Sequence, residues 1–357
     1  MAPDGLRQCI AEGAGHWTPV EPGWPHHRPP YVLNSTVPIV SRYTFNSARK
    51  CELDAAHNSA YTWIPSCSSR HGWLHNRSLE VLSGQFCNSY EGSLVLVVGD
   101  STNGQWFLSI ATILGMDAPS RFTSAPRACD RSLNVSAFDA YSHSEVKVCP
   151  GGRTTLKYIR NGHAVVNETK ETAARASGAA CLQEPASNDM PWLYAAEKAD
   201  LLILNRGAWA PHDEATFRSE VDTTLAALAT LRNRPRVVWR GTSAGIPSCW
   251  TLPDPLASPY AFDFNAKPSL AAEKSITTFH YHLFEPLNAI ARQAVERAGH
   301  AFLDTYRQTS FRPGGHYPQR KDCLHWCLPG PPDEWTRLLL LLLLHTTERP
   351  LAPAHRG

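Results

Sequence analysis

No charge of one sign prevails in this chain: 34 Lys and Arg stand against 32 Asp and Glu over 357 residues. No long-range field therefore recruits nucleic acid or an anionic membrane surface. Long apolar runs are missing too. The leucines from Leu338 to Leu344 cover only about a third of the roughly 20 residues that a bilayer-spanning helix requires. That run reads as a buried helix, and no membrane insertion is expected within the chain. The opening "MAPDGLRQCIAEGAG" lacks the continuous apolar core of a secretion signal, so neither signal nor anchor is visible. Repeated CxxC pairs of the zinc-module kind are absent, and so is any internal repeat.

What is present is cysteine in quantity, ten residues scattered from Cys9 to Cys327. An even number without metal-like clustering favours disulfides and an oxidising compartment. Four N-x-S/T sequons, at Asn34, Asn76, Asn134 and Asn167, agree with passage through the secretory pathway, to the Golgi lumen or the outside.

Residues 1–92 are rich in Pro, Trp and Cys. "EPGWPHHRPPYVL" is too proline-dense for a regular helix or a central strand, so this segment is expected to wrap a core, held by disulfides. From residue 93 the texture changes to short apolar runs, "SLVLVVG", "ADLLILN", "PRVVWRG" and "HAFLD". Between them lie helical patterns such as "STNGQWFLSIATILG", "DEATFRSEVDTTLAALATLR" and "FEPLNAIARQAVERAG". That alternation predicts an α/β domain over 93–348, with a central parallel sheet between two helical layers. Residues 117–198 read as an elaborated insertion with one strand, "TTLKYIR", and 349–357 as a tail.

"VGDSTNGQW" carries Ser101 at the turn from a strand into a helix. Ligands of parallel sheets sit beyond such strand ends, and the outward N–H groups there can hold an oxyanion. A serine at this place is either a nucleophile or, like Thr102, a helix cap. A nucleophile needs a base and a group orienting that base. "DCLHWCLPGPPDEW" offers them, with Asp322 three residues before His325 in what reads as a short loop leading into the last helix. Competing readings are a metal site at Cys323, His325 and Cys327, or an ordinary surface pair.

The two stretches together resemble the signature blocks of the trichome-birefringence-like and Cas1-type proteins, the PC-esterase branch of the SGNH/GDSL hydrolases. The second block is the more specific, with Asp, Cys, His, Trp, Cys, Leu, Pro, Gly, Pro, Asp and Trp at matching spacings. "YTWIPSC", "LLILNRGAW", "VVWRGTSAG" and "FRPGGHYPQ" resemble the remaining landmarks. The resemblance implies an SGNH-like, flavodoxin-like fold and transfer of acetyl groups to polysaccharide hydroxyls, or their removal.

By the same resemblance Ser101 is the nucleophile, His325 the base and Asp322 its orienting acid. The Ser101 N–H and Asn205 form the oxyanion hole, with capping as the other reading of Asn205. Arg240 binds substrate or braces the site in an ion pair. His316 is a rival base or substrate ligand. Gln105 and Trp106 match the family but at their spacing are expected to face core and neighbouring loops, with packing the reading for Trp106. No metal or bound cofactor is implied, only an acetyl donor and a glycan acceptor. Thr102 and Asn103 stand where plant members carry Leu and Arg, so acceptor specificity does not carry over. The expected function is O-acetyltransferase, with carbohydrate acetylesterase and non-catalytic glycan binding as alternatives.

Overall fold

The computed structural model of the protein describes residues 14–20, 60–66, 78–116, 123–124, 143–161, 192–210, 212–317 and 322–345. In chain order they form β1 (Gly15–Pro19), β2 (Tyr61–Pro65), α1 (Leu79–Ser89), β3 (Leu94–Gly99), α2 (Ser101–Ile113), β4 (Thr123–Ser124), β5 (His143–Val148) and β6 (Thr154–Arg160). There follow α3 (Leu193–Lys198), β7 (Leu201–Leu204), α4 (Glu214–Ala229), β8 (Arg236–Arg240), α5 (Lys274–Thr277) and α6 (Phe284–Arg297). The chain closes with β9 (Ala301–Leu303), α7 (Tyr306–Thr309), β10 (His316–Tyr317), β11 (Asp322–Trp326) and α8 (Pro331–His345).

One sheet has the strand order β4-β5-β6-β3-β7-β8-β9. Its strands β6, β3, β7, β8 and β9 are parallel. Counted along the chain these five stand in the flavodoxin-like order, second, first, third, fourth, fifth. The chain leaves β3 towards β6 on one side and returns to β7 on the other, so a crevice opens where the carboxyl ends of β3 and β7 diverge. Ser101 begins α2 at that point.

Alternate side chains of the strands feed two cores. Val95, Val97, Leu201 and Ile203 pack with Trp106 and Phe107 of α2 and the leucines of α8. Leu96, Val98, Leu202 and Leu204 pack with α3, α4 and α6 on the other face. Because both faces are covered, these strands read as unbroken apolar runs, and the three-layer sandwich expected from the sequence is found. The leucine run lies in α8, where Leu338 to Leu343 are each no more than 4% exposed. A helix apolar on all sides must be covered on all sides, and α1 and α2 flank it. No helix among the described residues is long and apolar enough to cross a membrane.

The sheet departs from the expectation of a parallel one at the β6 edge, where β5 and β4 join antiparallel. β5, "HSEVKV", alternates buried Ser144, Val146 and Val148 with half-buried Glu145 and Lys147, a half-exposed strand without a continuous apolar run. A second correction concerns Asp322 to His325, expected in a loop. They lie in β11, paired antiparallel with β10.

Disulfides join Cys87 to Cys149 and Cys249 to Cys323, and Cys327 is also disulfide-bonded. The proposed Cys323-His325-Cys327 metal set is thereby excluded, because both sulfurs are consumed. The other five cysteines and all four sequons lie outside the described residues. Of the first 92 residues, β1 and β2 form an antiparallel ribbon that rests on the C-terminal part of the fold. The Trp17 indole donates to the Gln308 carbonyl at 2.8 Å. The Thr62 hydroxyl and the Trp63 amide each reach Glu334 at 3.2 Å.

Candidate active site

The turn between β3 and α2 is organised by Asp100 rather than by Ser101 or Thr102. Asp100 is the N-cap, its carboxylate accepting from the Thr102 amide at 2.8 Å and the Thr102 hydroxyl at 2.6 Å. This corrects the capping alternative and leaves Ser101 at the first helical position with its hydroxyl uncommitted to a cap. The other Asp100 oxygen accepts the Ala208 amide at 2.8 Å, so one carboxylate ties the serine turn to the loop after β7. Gly207 passes so close that a Cβ there would collide with the Asp100 and Asn205 side chains. Burial opposes ionisation of Asp100, but the Arg240 charge and the bonds from Thr102 and Ala208 outweigh it and hold its pKa below the usual range.

Opposite Ser101 stands β11. Ser101 Oγ is 2.7 Å from His325 Nε2, and His325 Nδ1 is 2.8 Å from Asp322 Oδ2. An ionised carboxylate can only accept, so Nδ1 carries the proton and Nε2 is left to accept from the serine hydroxyl. The second Asp322 oxygen accepts the amides of Leu324 at 3.0 Å and His325 at 3.1 Å. Burial of Asp322 is outweighed by the hydrogen bond and charge of His325 and by these amides, which keep its carboxyl well below the ordinary range. The line is chemically complete: a hydroxyl, a base facing it, and an ionised acid fixing the tautomer of that base.

The remaining sequence-derived residues fall into supporting positions. Asn205 Nδ2 donates to the Arg240 carbonyl at 2.9 Å, so its amide joins the ends of β7 and β8. Arg240 is fully buried, donates to the Thr102 hydroxyl at 2.7 Å and lies over the Trp335 ring at 5.1 Å. Burial lowers its pKa to about 10, against the pull of Asp100 and Tyr158, and it stays charged at neutral pH. With no exposed surface Arg240 braces the turn instead of facing a substrate. His316 is equally enclosed at 1% exposure. Its ring stacks on Trp326 at 3.7 Å, and its Nδ1 donates to the His325 carbonyl at 3.0 Å. Burial holds its pKa down at about 4, so it is neutral and supports the strand that carries His325.

Gln105 does more than fill core. Its Nε2 donates to the Trp326 carbonyl at 2.7 Å and its Oε1 accepts the Trp326 amide at 3.0 Å. One turn beyond Ser101 on the same face of α2, it clamps the residue beside His325. The i, i+4 spacing from the nucleophile was the signal for this role. The packing expected of Trp106 is found, since it is fully buried and meets the Trp335 ring edge-on at 6.2 Å.

A flavodoxin-like sheet with a serine after its first parallel strand, facing a histidine and aspartate from the C-terminal end, is an arrangement able to activate a hydroxyl for acyl transfer. Comparison with known proteins agrees and narrows it. Residues 267–342 match the PC-Esterase family, described as a GDSL/SGNH-like acyl-esterase family found in Pmr5 and Cas1p. "Protein trichome birefringence-like 12" of Arabidopsis thaliana is 23% identical over 286 residues, 69% of this chain and 67% of that protein. "Xyloglucan O-acetyltransferase 2" of the same plant is 37% identical over 68 residues, 16% of each chain. Among solved structures, a catalytic mutant of Axe2, an acetylxylan esterase from Geobacillus stearothermophilus, aligns with TM-score 0.31 and 12% identity over 73% of this chain and 96% of that one. The chain is thus similar to the PC-esterase family over residues 267–342 and to trichome-birefringence-like proteins over most of its length.

Proposed function

We propose that this protein transfers an acetyl group to a hydroxyl of a polysaccharide or glycan through an acyl-enzyme on Ser101. The observation that carries the reading is the hydrogen-bonded line from Ser101 through His325 to Asp322, with separations of 2.7 and 2.8 Å. Ser101 Oγ attacks the acetyl carbonyl of the donor as His325 Nε2 takes its proton, and the leaving group departs with that proton. The acceptor hydroxyl then loses its proton to His325 and attacks the acetyl-serine, and the proton returns to Ser101 Oγ. Charge on the carbonyl oxygen is met by the Ser101 N–H, one of the first-turn amides that no carbonyl of α2 reaches.

Asn205, with its amide engaged by Arg240, is assigned to holding the strand ends together. Asp100, Gln105 and His316 are positioning residues. Residues 93–348 form the catalytic unit in this reading, with 117–198 as an insertion and 1–92 wrapping it. The disulfides support residence in an oxidising lumen.

Hydrolysis uses the same residues with water as acceptor, and the acyl-esterase description of the matched family favours testing it alongside. Purified protein is incubated with an acetyl donor and neutral oligosaccharides, and acetylated product is followed by mass spectrometry beside free acetate. Acetylated sugar is the expected result. Acetate without acetylated sugar overturns transfer in favour of hydrolysis, and persistence of both products in Ser101→Ala overturns the acyl-serine route.

A further inference from the structure

The N-terminal ribbon rests on a buried charge. Arg312 is fully buried, its guanidinium lying 4.5 Å from the Trp17 ring of β1 and 5.0 Å from the Tyr61 ring of β2. Its Nε donates to both oxygens of Asp254, at 3.2 and 3.1 Å, and the Asp254 side chain is itself only 7% exposed. Two charges so enclosed lose hydration that their attraction scarcely returns, so the pair adds little to stability. Its contribution is to geometry.

Asp254 also accepts the Gly314 amide at 3.1 Å, and Gly314 passes so near that a Cβ there would collide with the Asp254 side chain. One carboxylate thus holds the side chain of residue 312 and the main chain of residue 314, and with them the tight helical turn Pro313–Gly315. That turn leads straight into β10. The Gly315 carbonyl accepts the Cys327 amide at 2.8 Å, and a Cβ on Gly315 would strike Trp326 and Pro331. His316 follows at once, stacked on Trp326 and bonded to the His325 carbonyl. Within four residues the chain passes from the ion pair to the support of the base.

We propose that Arg312 is a positioning residue of the Ser101 site: covered by Trp17 and Tyr61, it neutralises Asp254 and fixes the turn that seats His316 against the strand of His325. The ribbon that wraps the catalytic unit thereby takes part in placing its base. The effect on rate rests on the acyl-transfer reading, whereas the ionisation of His316 is independent of it. Burial opposes charge on the His316 ring; the His325 carbonyl and the Asp322 and Asp254 carboxylates favour it, and the His325 ring opposes it. Burial likewise opposes the Arg312 charge, which Asp254, Tyr61 and Glu334 support. Without Arg312 the Asp254 carboxylate stands unbalanced in the interior, and a proton is taken up at higher pH, on His316 or on Asp254 itself. Positive charge on His316 would oppose the imidazolium that His325 becomes during transfer.

The test follows the His316 ring by NMR in histidine-labelled protein, without an acetyl donor, so that turnover is not required. In Arg312→Met the ring should report an ionisation about one pH unit or more above that of the parent, and adding Asp254→Asn should abolish the rise. No rise, or a rise that persists in the double variant, overturns the proposal. The Trp17 variants leave the ion pair intact and decide the case if Arg312→Met does not fold. With a chromogenic acetyl ester, Trp17→Leu should lower kcat about tenfold at unchanged KM, and Trp17→Phe should restore most of the loss by keeping a ring over the guanidinium. Equal losses in the two, or none in Trp17→Leu, overturn the role of the cover. Arg153→Met, which removes an exposed arginine paired with Glu91, should change neither readout. Adduct formation at Ser101 by a serine-directed fluorophosphonate is read separately by mass spectrometry. Its absence defeats the acyl-serine reading while leaving the His316 titration to decide the place of Arg312.

Discussion

The serine half and the histidine half of the site are built differently. Ser101 sits where β3 meets α2, inside the main sheet, and its turn is held by a cap, a buried arginine and two strand ends within the same core. Asp322 and His325 sit on β11, whose only strand partner among the described residues is the two-residue β10. That pair is tethered by the Cys249–Cys323 disulfide, by the His316 ring and by Gln105. One half is rigid because the fold passes through it. The other is rigid because side chains reach out and fasten it, so substitutions away from the reacting atoms should harm the histidine half more.

The largest effects are expected where the halves touch. Ser101→Ala should lower kcat by about 10⁴- to 10⁶-fold without altering the urea midpoint, since it removes the nucleophile alone. Asp322→Asn should cost about 10⁴-fold by favouring the wrong imidazole tautomer, seen as lost turnover with a retained near-ultraviolet spectrum. If both variants lost stability as well, the two halves would be one folding unit and the contrast would vanish.

Replacing Cys249 and Cys323 together by Ser should lower stability by about 2–4 kcal/mol, because the bond closes a loop of 74 residues. Hydrogen exchange should then rise on β11 before it rises on β3. Gln105→Ala leaves two main-chain groups of Trp326 without their side-chain partner, and the resulting displacement of His325 should cost about 100-fold in kcat. Gln105→Glu should recover only the bond from the Trp326 amide, as a carboxylate cannot donate to its carbonyl.

The smallest effect is in acid. His316 has a pKa of about 4 in the folded protein against 6.5 for the free side chain. Between those values the unfolded chain binds more protons, so the stabilising contribution is complete above pH 6.5 and disappears as pH falls through 4. Unfolding free energies of the parent and His316→Gln, from urea titrations, should converge by about 1–3 kcal/mol over this window. Asp304, raised by burial to about 6, shifts stability in the opposite sense in both proteins and drops out of the difference. A parallel pair of curves would remove His316 from the supports of β11.

Much of this was legible in the order of residues. The strands β3, β7, β8 and β9 announce themselves as short apolar segments, β6 as the one strand of the insertion, and α2, α4, α6 and α8 as helical patterns, because each obeys a local rule of period and termination. β5 escaped because its outward, half-buried side chains are charged and break any apolar run. β11 escaped because a five-residue strand paired with a two-residue partner has no period long enough to read. The roles of Arg240, Asn205 and His316 were left open for a related reason, since each depends on burial that no local pattern encodes.

By itself the sequence determined the alternation of elements, the covering of the central strands on both faces and the chemistry available at Ser101, Asp322 and His325. These follow from backbone periodicity and from what each side chain can donate or accept. Only the tertiary structure decided that residues 224 apart stand 2.7 Å from each other, that Asp100 rather than Ser101 caps the helix, and that Gln105 binds the two halves together. The reason is physical: a hydrogen bond across that separation requires the sheet, the disulfide and both cores to form first, and nothing in a short window of residues specifies their joint geometry.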